Sequence, residues 1–217
     1  MTKIMVAPSI LSADFAYMGD AVKNLKKWNA DWVHCDVMDG KFVPNLTFGM
    51  PMVKALRKYT DMVLDVHLMI DSPETYIERF IDAGADVVTF HAETCACVEE
   101  MLDLIHAKGK KGGLVLNPDK EVKEIEKYLD KVDVVMLMGV FPGFGGQKFI
   151  TSVLDKINEL KALSGGRFLI ELDGGVTVDN VREMAERGVD VAVAGSSVFG
   201  ATDPAKAVEL IQNCLER

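Results

Sequence analysis

Two acidic phrases hold the groups best suited to chemistry, His34-Cys35-Asp36-Val37-Met38-Asp39-Gly40 and Glu171-Leu172-Asp173-Gly174-Gly175, and each closes an apolar run. Between them, Leu64-Asp65-Val66-His67-Leu68-Met69 puts an imidazole at the end of a third such run. Side chains alternate faces along a strand, so His34, Asp36 and Met38 share a side, as do Asp65, His67 and Met69, and Glu171 and Asp173. Two imidazoles and two carboxylates converging from three strands make a mixed nitrogen and oxygen donor set for a divalent ion. Zn2+ is favoured, and Fe2+, Mn2+ or Co2+ suit the same donors. Burying that much charge without a cation would be costly.

Asp36 and Asp173, reaching the metal from different strands, would serve as acid and base on opposite faces of a bound substrate. That pairing suits inversion of a carbon next to a carbonyl. One Asp removes the proton, the metal stabilises the enediolate, and the other Asp returns a proton from the far side. Asp65 and Glu171, one layer deeper, read either as groups that orient the imidazoles or as satisfied buried carboxylates.

An element pattern that can position these groups runs from end to end. Strand-like segments fall near 4–7, 32–36, 62–67, 86–90, 112–116, 133–138, 168–172 and 191–195. Each precedes a stretch of helical apolar spacing, near 15–28, 50–58, 73–82, 95–107, 120–129, 149–163, 177–187 and 204–216. Ser72-Pro73 and Asp203-Pro204 suit helix starts, and Gly84, Gly109 and Gly188 suit helix ends. The strands are rich in Val, Ile and Leu with little polar alternation, as in a parallel sheet covered by helices. Eight such units predict a (β/α)8 barrel, a single α/β domain over residues 1–217. Active groups in that fold gather where strands end. Ser9, Asp36, His67, His91, Asn117 and Asp173 all fall there.

Composition narrows the partners. A net charge of -9 argues against nucleic acid or an anionic membrane surface. The N-terminal segment reaches Pro8 before a signal-peptide apolar stretch, and no run is long enough to span a bilayer, so a soluble, cytoplasmic protein is expected. Cys35, Cys95, Cys97 and Cys214 lack metal or disulfide spacing and read as reduced thiols.

Glycine clusters follow three consecutive strands: Pro142-Gly143-Phe144-Gly145-Gly146-Gln147, Gly174-Gly175 and Gly195-Ser196-Ser197. Glycines let backbone N–H groups approach a phosphate closely, and barrels often bind one beside strands 7 and 8. Met38, Met69 and Met138 fall by parity at the same mouth. Their soft side chains would shield an enediolate from water, or simply pack the barrel top.

With these residues assembled, the chain closely resembles ribulose-phosphate 3-epimerases over nearly its whole length. The resemblance is carried by Ala7 through Phe15 (APSILSADF), His34 through Gly49 (HCDVMDGKFVPNLTFG), Asp65 through Met69 (DVHLM), PGFGGQ at 142–147, Asp173 through Gly175, and Gly195-Ser196. It implies a metal-dependent (β/α)8 epimerase that converts D-ribulose 5-phosphate to D-xylulose 5-phosphate. It further implies His34, Asp36, His67 and Asp173 as ligands, the two aspartates as the acid/base pair, and substrate contacts from Ser9, His67 and Asp173. The phosphate would lie against the loops at 143–146, 174–175 and 195–197, and the family often forms dimers or hexamers.

Gly139 and Phe141 depart from the family phrase, which places Thr or Ser and then a polar residue before PGFGGQ, and Lys41 stands where many members have His. The first two raise a six-carbon alternative, C3 epimerisation of allulose 6-phosphate. A non-catalytic sugar-phosphate-binding barrel is the non-enzyme alternative. A Schiff-base aldolase needs an inward lysine at a strand end, and no predicted strand ends in one.

Overall fold

The computed structural model describes residues 3–216; residues 1, 2 and 217, the ends of the expected domain span, lie outside the described residues. Eight parallel strands form one sheet: β1 (Met5–Ala7), β2 (Trp32–Met38), β3 (Val63–Met69), β4 (Val87–His91), β5 (Lys111–Leu116), β6 (Val134–Met138), β7 (Leu169–Asp173) and β8 (Val191–Val193). The order β1-β8-β7-β6-β5-β4-β3-β2 leaves β1 and β2 to meet. They are joined by Asp31 N–H to Val6 O at 3.0 Å and His34 N–H to Pro8 O at 3.2 Å, which closes the (β/α)8 barrel. Among the described residues, no helix is long and apolar enough to cross a membrane.

The strands' outward residues, Val33, Cys35, Val37, Leu64, Val66 and Leu68 among them, build the main core against the helices. The inward residues divide by depth. Trp32, Val87, Val134 and Val191 form an apolar plug, while Met38 and Met69 pack together with Val43 and take Leu11 and Phe42 against them. His34, Asp65 and Glu171 are inward by the same parity and fully buried. The barrel thus carries a polar middle layer, where barrels usually stack branched apolar side chains.

Strand placement is set by a motif used four times. Asp31, Asp86, Asp133 and Asp190 immediately precede β2, β4, β6 and β8, each after Ala or Val. Each carboxylate accepts from a backbone N–H of the preceding odd strand, at Val6 (2.8 Å), Leu64 (3.1 Å), Gly112 (2.8 Å) and Ile170 (2.9 Å). Each aspartate's own N–H returns a bond to the carbonyl of that same residue. The repeat locks the strands into four pairs at the end of the barrel opposite the site. Asp190→Ala is therefore expected to lower stability by about 1–3 kcal/mol, read from the denaturant midpoint. A loss below about 0.5 kcal/mol, the level of an ordinary surface change, would show the repeat to be ornamental.

The helices are α1 (Met18–Lys27), α2 (Met50–Leu56), α3 (Ile77–Ala83), α4 (Val98–Ala107), α5 (Val153–Ser164), α6 (Val181–Arg187), α7 (Ser196–Phe199) and α8 (Pro204–Gln212). Met18, Val22 and Leu25 show why α1 forms: four- and three-residue spacing puts all three on its buried face. Asp203 caps α8 by accepting from Lys206 N–H at 3.0 Å, and α3 and α6 end at Gly84 and Gly188 as expected.

Three expectations need correction. The segment near 120–129 is two 3-10 turns, Val122–Glu124 and Glu126–Tyr128, with no α-helix. Residues three apart eclipse in a 3-10 turn, so the same spacing of Val122 and Ile125 that suggests a helix serves a tight turn as well. Ser72-Pro73 does not open α3: Ser72 takes a φ of 53° without capping, Pro73 begins a 3-10 turn, and the α-helix starts at Ile77. A four-residue helix, α7, also appears after β8, where none was expected.

Candidate active site

β2 and β3 run two residues further than the apolar runs suggested, to Met38 and Met69. Asp36 and His67 therefore lie inside the barrel mouth, paired across the two strands in register, and both are buried. Asp173 ends β7 and faces them. His34 Nε2 lies 3.2 Å from Asp36 Oδ1 and 4.0 Å from Asp173 Oδ2. His67 Nδ1 lies 3.3 Å from Asp36 Oδ1 and 3.7 Å from Asp173 Oδ2. Tetrahedral donors around a zinc-sized ion stand about 3.3–3.4 Å apart, from metal–ligand bonds near 2.0–2.1 Å. Four donor atoms within 4.8 Å of one another, from two imidazoles and two carboxylates, fit such an ion.

The surroundings hold these groups in place. Ser9, just after β1, donates its hydroxyl to Asp36 Oδ2. His34 turns its other nitrogen to Asp65, whose Oδ2 lies 2.5 Å from Nδ1. A hydrogen on Nδ1 leaves the Nε2 lone pair facing Asp36 and Asp173. Glu171 is fully buried, and neither of its oxygens has a hydrogen-bond partner. Of the two readings of the deeper carboxylates, Asp65 fits the orienting one, whereas Glu171 is not satisfied by hydrogen bonds.

Burial alone would strip the proton from His34, yet the charges of Asp36 and Asp65 hold its pKa well above the ordinary value. His67 is likewise raised, because bonds to Asp173 and Asp36 outweigh burial. Asp36 falls well below the usual carboxylate range: burial opposes its charge, but His34 and His67 beside it prevail. Glu171 is pushed well up by burial and by the neighbouring Asp65 charge.

Above these groups opens a cavity of about 450 Å3. Ser9, Asp36 and Asp173 line its floor with Met38, Met69 and Met138. Its walls include Gly143, Phe144, Gly145 and Gly146, then Gly174, Gly175, Gly195 and Ser196. Gly175 shows why glycine is needed: its φ is 71°, and a Cβ there would stand 2.7 Å from the Phe149 backbone. His34 and His67 lie beneath the floor. Ser197 is not brought to the cavity, and its hydroxyl is buried without a partner.

Residues 5–199 match the model of the ribulose-phosphate 3 epimerase family. The chain is 50% identical over 213 residues to the ribulose-phosphate 3-epimerase of Bacillus subtilis, covering 96% of this chain and 98% of that protein. The chain belongs to the ribulose-phosphate 3 epimerase family. It is an isomerase, of the epimerase class. An Arabidopsis thaliana relative named ribulose-5-phosphate-3-epimerase, chloroplastic, is 48% identical over 214 residues, which is 96% of this chain and 76% of that one. In fold, the chain is similar to 3-hexulose-6-phosphate synthase from Salmonella typhimurium, with a TM-score of 0.73 at 19% identity, over 98% and 99% of the two chains.

The positions where this epimerase departs from its family's phrases do not line the cavity. Phe141 is exposed and does not line it; its carbonyl accepts from Gln147 Nε2 at 2.7 Å, a bond that braces the 141–147 loop. Gly139 is enclosed: a Cβ would stand 2.2 Å from Gly174 O, and its N–H donates to Asp173 O at 2.6 Å. Lys41 pairs with Asp71 at the surface. Two supporting residues escaped the sequence reading. Asn180 donates to Gly175 O at 2.9 Å and accepts from Thr177 N–H at 2.8 Å, a Thr-x-x-Asn spacing that matches the back-reaching half of a capping box. His91, seen only as a polar strand end, contacts His67 directly.

Proposed function

We propose that this epimerase interconverts D-ribulose 5-phosphate and D-xylulose 5-phosphate by inverting C3. The observation that carries the reading is the meeting of Asp36 and Asp173, from β2 and β7, on the floor of one cavity beside both imidazoles. The names of the relatives agree with it. Asp36 and Asp173 exchange the C3 proton from opposite faces, each acting as base in one direction and as acid in the other. His34 Nε2, Asp36, His67 Nδ1 and Asp173 would hold one divalent cation, Zn2+ before Fe2+, Mn2+ or Co2+, which would supply positive charge beside the substrate oxygens where negative charge builds.

Ser9 keeps one Asp36 oxygen engaged, so the carboxylate is aimed before substrate arrives. Met38, Met69 and Met138 line the floor, where they keep water from the enediolate and offer it no proton. The backbone at Gly143–Gly146, Gly174–Gly175 and Gly195–Ser196 receives the phosphate, which needs local N–H groups in a chain of net charge -9. The hexulose alternative rested on Gly139 and Phe141, and neither lines the cavity. The deciding assay compares turnover of D-ribulose 5-phosphate with that of D-allulose 6-phosphate by the purified protein. The pentulose is expected to be preferred, and a preference of about a hundredfold for the hexulose, the scale on which a pocket discriminates one extra carbon unit, would overturn the assignment.

A further inference from the structure

The two imidazoles of the site are backed by different chemistry. His34 has the Asp65 carboxylate behind it, the common arrangement for a ligating histidine. Behind His67 stands another histidine. His67 Nε2 lies 3.0 Å from Nε2 of His91, the last residue of β4. The two rings are stacked 28° from parallel with centroids 5.2 Å apart, and the Phe42 ring packs against His91 at 4.7 Å. His91 is fully buried and does not line the substrate cavity.

Two ring nitrogens at 3.0 Å must share one hydrogen, because two lone pairs repel and two N–H groups collide. The other nitrogen of His67, Nδ1, faces Asp36 and Asp173 at 3.3 and 3.7 Å, and a cation held there needs its lone pair. A neutral His67 with a bare Nδ1 carries its hydrogen on Nε2. The hydrogen between the rings then belongs to His67, and His91 Nε2 accepts it. His91 keeps its own hydrogen on Nδ1, a buried nitrogen without a hydrogen-bond partner whose nearest carboxylate oxygen is Glu93 Oε1 at 3.9 Å. That oxygen is in turn held by Asn117 Nδ2 at 2.8 Å.

We propose that His91 is a positioning residue for His67: by accepting the Nε2 hydrogen, it fixes the tautomer and ring orientation that turn Nδ1 toward a divalent cation between Asp36 and Asp173. The proposal rests on the metal-dependent reading given above. His91 acts through His67 and touches neither cation nor substrate.

Zn2+ affinity, measured by competition with a chromophoric chelator on the folded chain, separates this role from packing. His91→Phe preserves a buried ring but removes the acceptor; His91→Gln loses the ring but restores an acceptor oxygen. The phenylalanine variant is expected to bind Zn2+ about 10–100-fold more weakly, and the glutamine variant within about threefold of the parent protein. A packing role predicts the reverse order, so wild-type affinity in His91→Phe, or an equal loss in His91→Gln, overturns the proposal. Should His91→Phe fail to fold, 15N NMR of the zinc-loaded parent protein decides. Hydrogens on His67 Nε2 and His91 Nδ1 support the proposal, and a bare His67 Nε2 overturns it. A parent protein that takes up no Zn2+ would defeat the metal reading and this proposal together. Normal uptake with an unaffected His91→Phe would defeat this proposal alone.

Discussion

Asp36→Asn and Asp173→Asn should each lower epimerisation by about three to four orders of magnitude, the upper range for one general acid or base. At about 1.4 kcal/mol per tenfold, each carboxylate is asked to supply about 4–5.5 kcal/mol. Asn keeps the size and one acceptor oxygen, so Ser9 can still donate to the side chain at position 36 and the fold survives. What Asn cannot do is take or return a proton. Inversion needs both faces in either direction, so either variant alone is disabled both ways. Proton removal, however, needs only one face. Incubated in deuterium oxide, each variant should still exchange the C3 hydrogen of one epimer, and the two variants should exchange different epimers. Because the same oxygens stand among the metal donors, zinc content must be measured alongside. Epimerisation within about tenfold of the parent in either variant would be too small a loss for a missing proton carrier and would defeat the two-base mechanism.

Removing the metal should be nearly as damaging. Dialysis against a chelator is expected to cut turnover by more than about a hundredfold, the scale of losing one strong electrostatic contact in a transition state, with recovery on adding Zn2+. Stability should move with it. A ligand present at a hundred times its dissociation constant stabilises a fold by about 2.7 kcal/mol, so its loss should lower Tm by about 5–10 °C in a chain of this size. The pH dependence has a definite sign. His34 and His67 hold protons to a higher pH than a free imidazole, whose value is 6.5, and each must lose one to bind a cation. Apparent Zn2+ affinity should therefore rise with pH through and above 6.5, and protons should be released on binding. Full turnover by protein that elemental analysis shows to be metal-free would end the metal reading.

The fold was legible because its signals are local and repeated. Each strand is a short apolar run, and helical spacing follows it, so the count and order of strands could be read from Ile4 to Gly195 without any contact being known. Misreadings fell where one local signal serves two structures, as at Val122 and Ile125, whose spacing suits a 3-10 turn as well as an α-helix. The fourfold aspartate motif was present in the sequence throughout, before Trp32, Val87, Val134 and Val191. Its meaning is not local, because each carboxylate's partner lies 20 to 25 positions away on another strand.

By itself the sequence determined which side chains share a face: parity places Asp36, His67 and Asp173 inward, and glycine spacing marks the loops beside them. Tertiary pairing decided what those side chains meet. The β2–β3 register put Asp65 behind His34, the β3–β4 register put His91 behind His67, and closure between β1 and β2 put Ser9 against Asp36, while Gly139 and Phe141 were left off the cavity lining. The physical reason is range. Alternation along a strand is set by adjacent peptide units, whereas the partner of a buried nitrogen is set by the register of neighbouring strands, and no residue encodes that register alone.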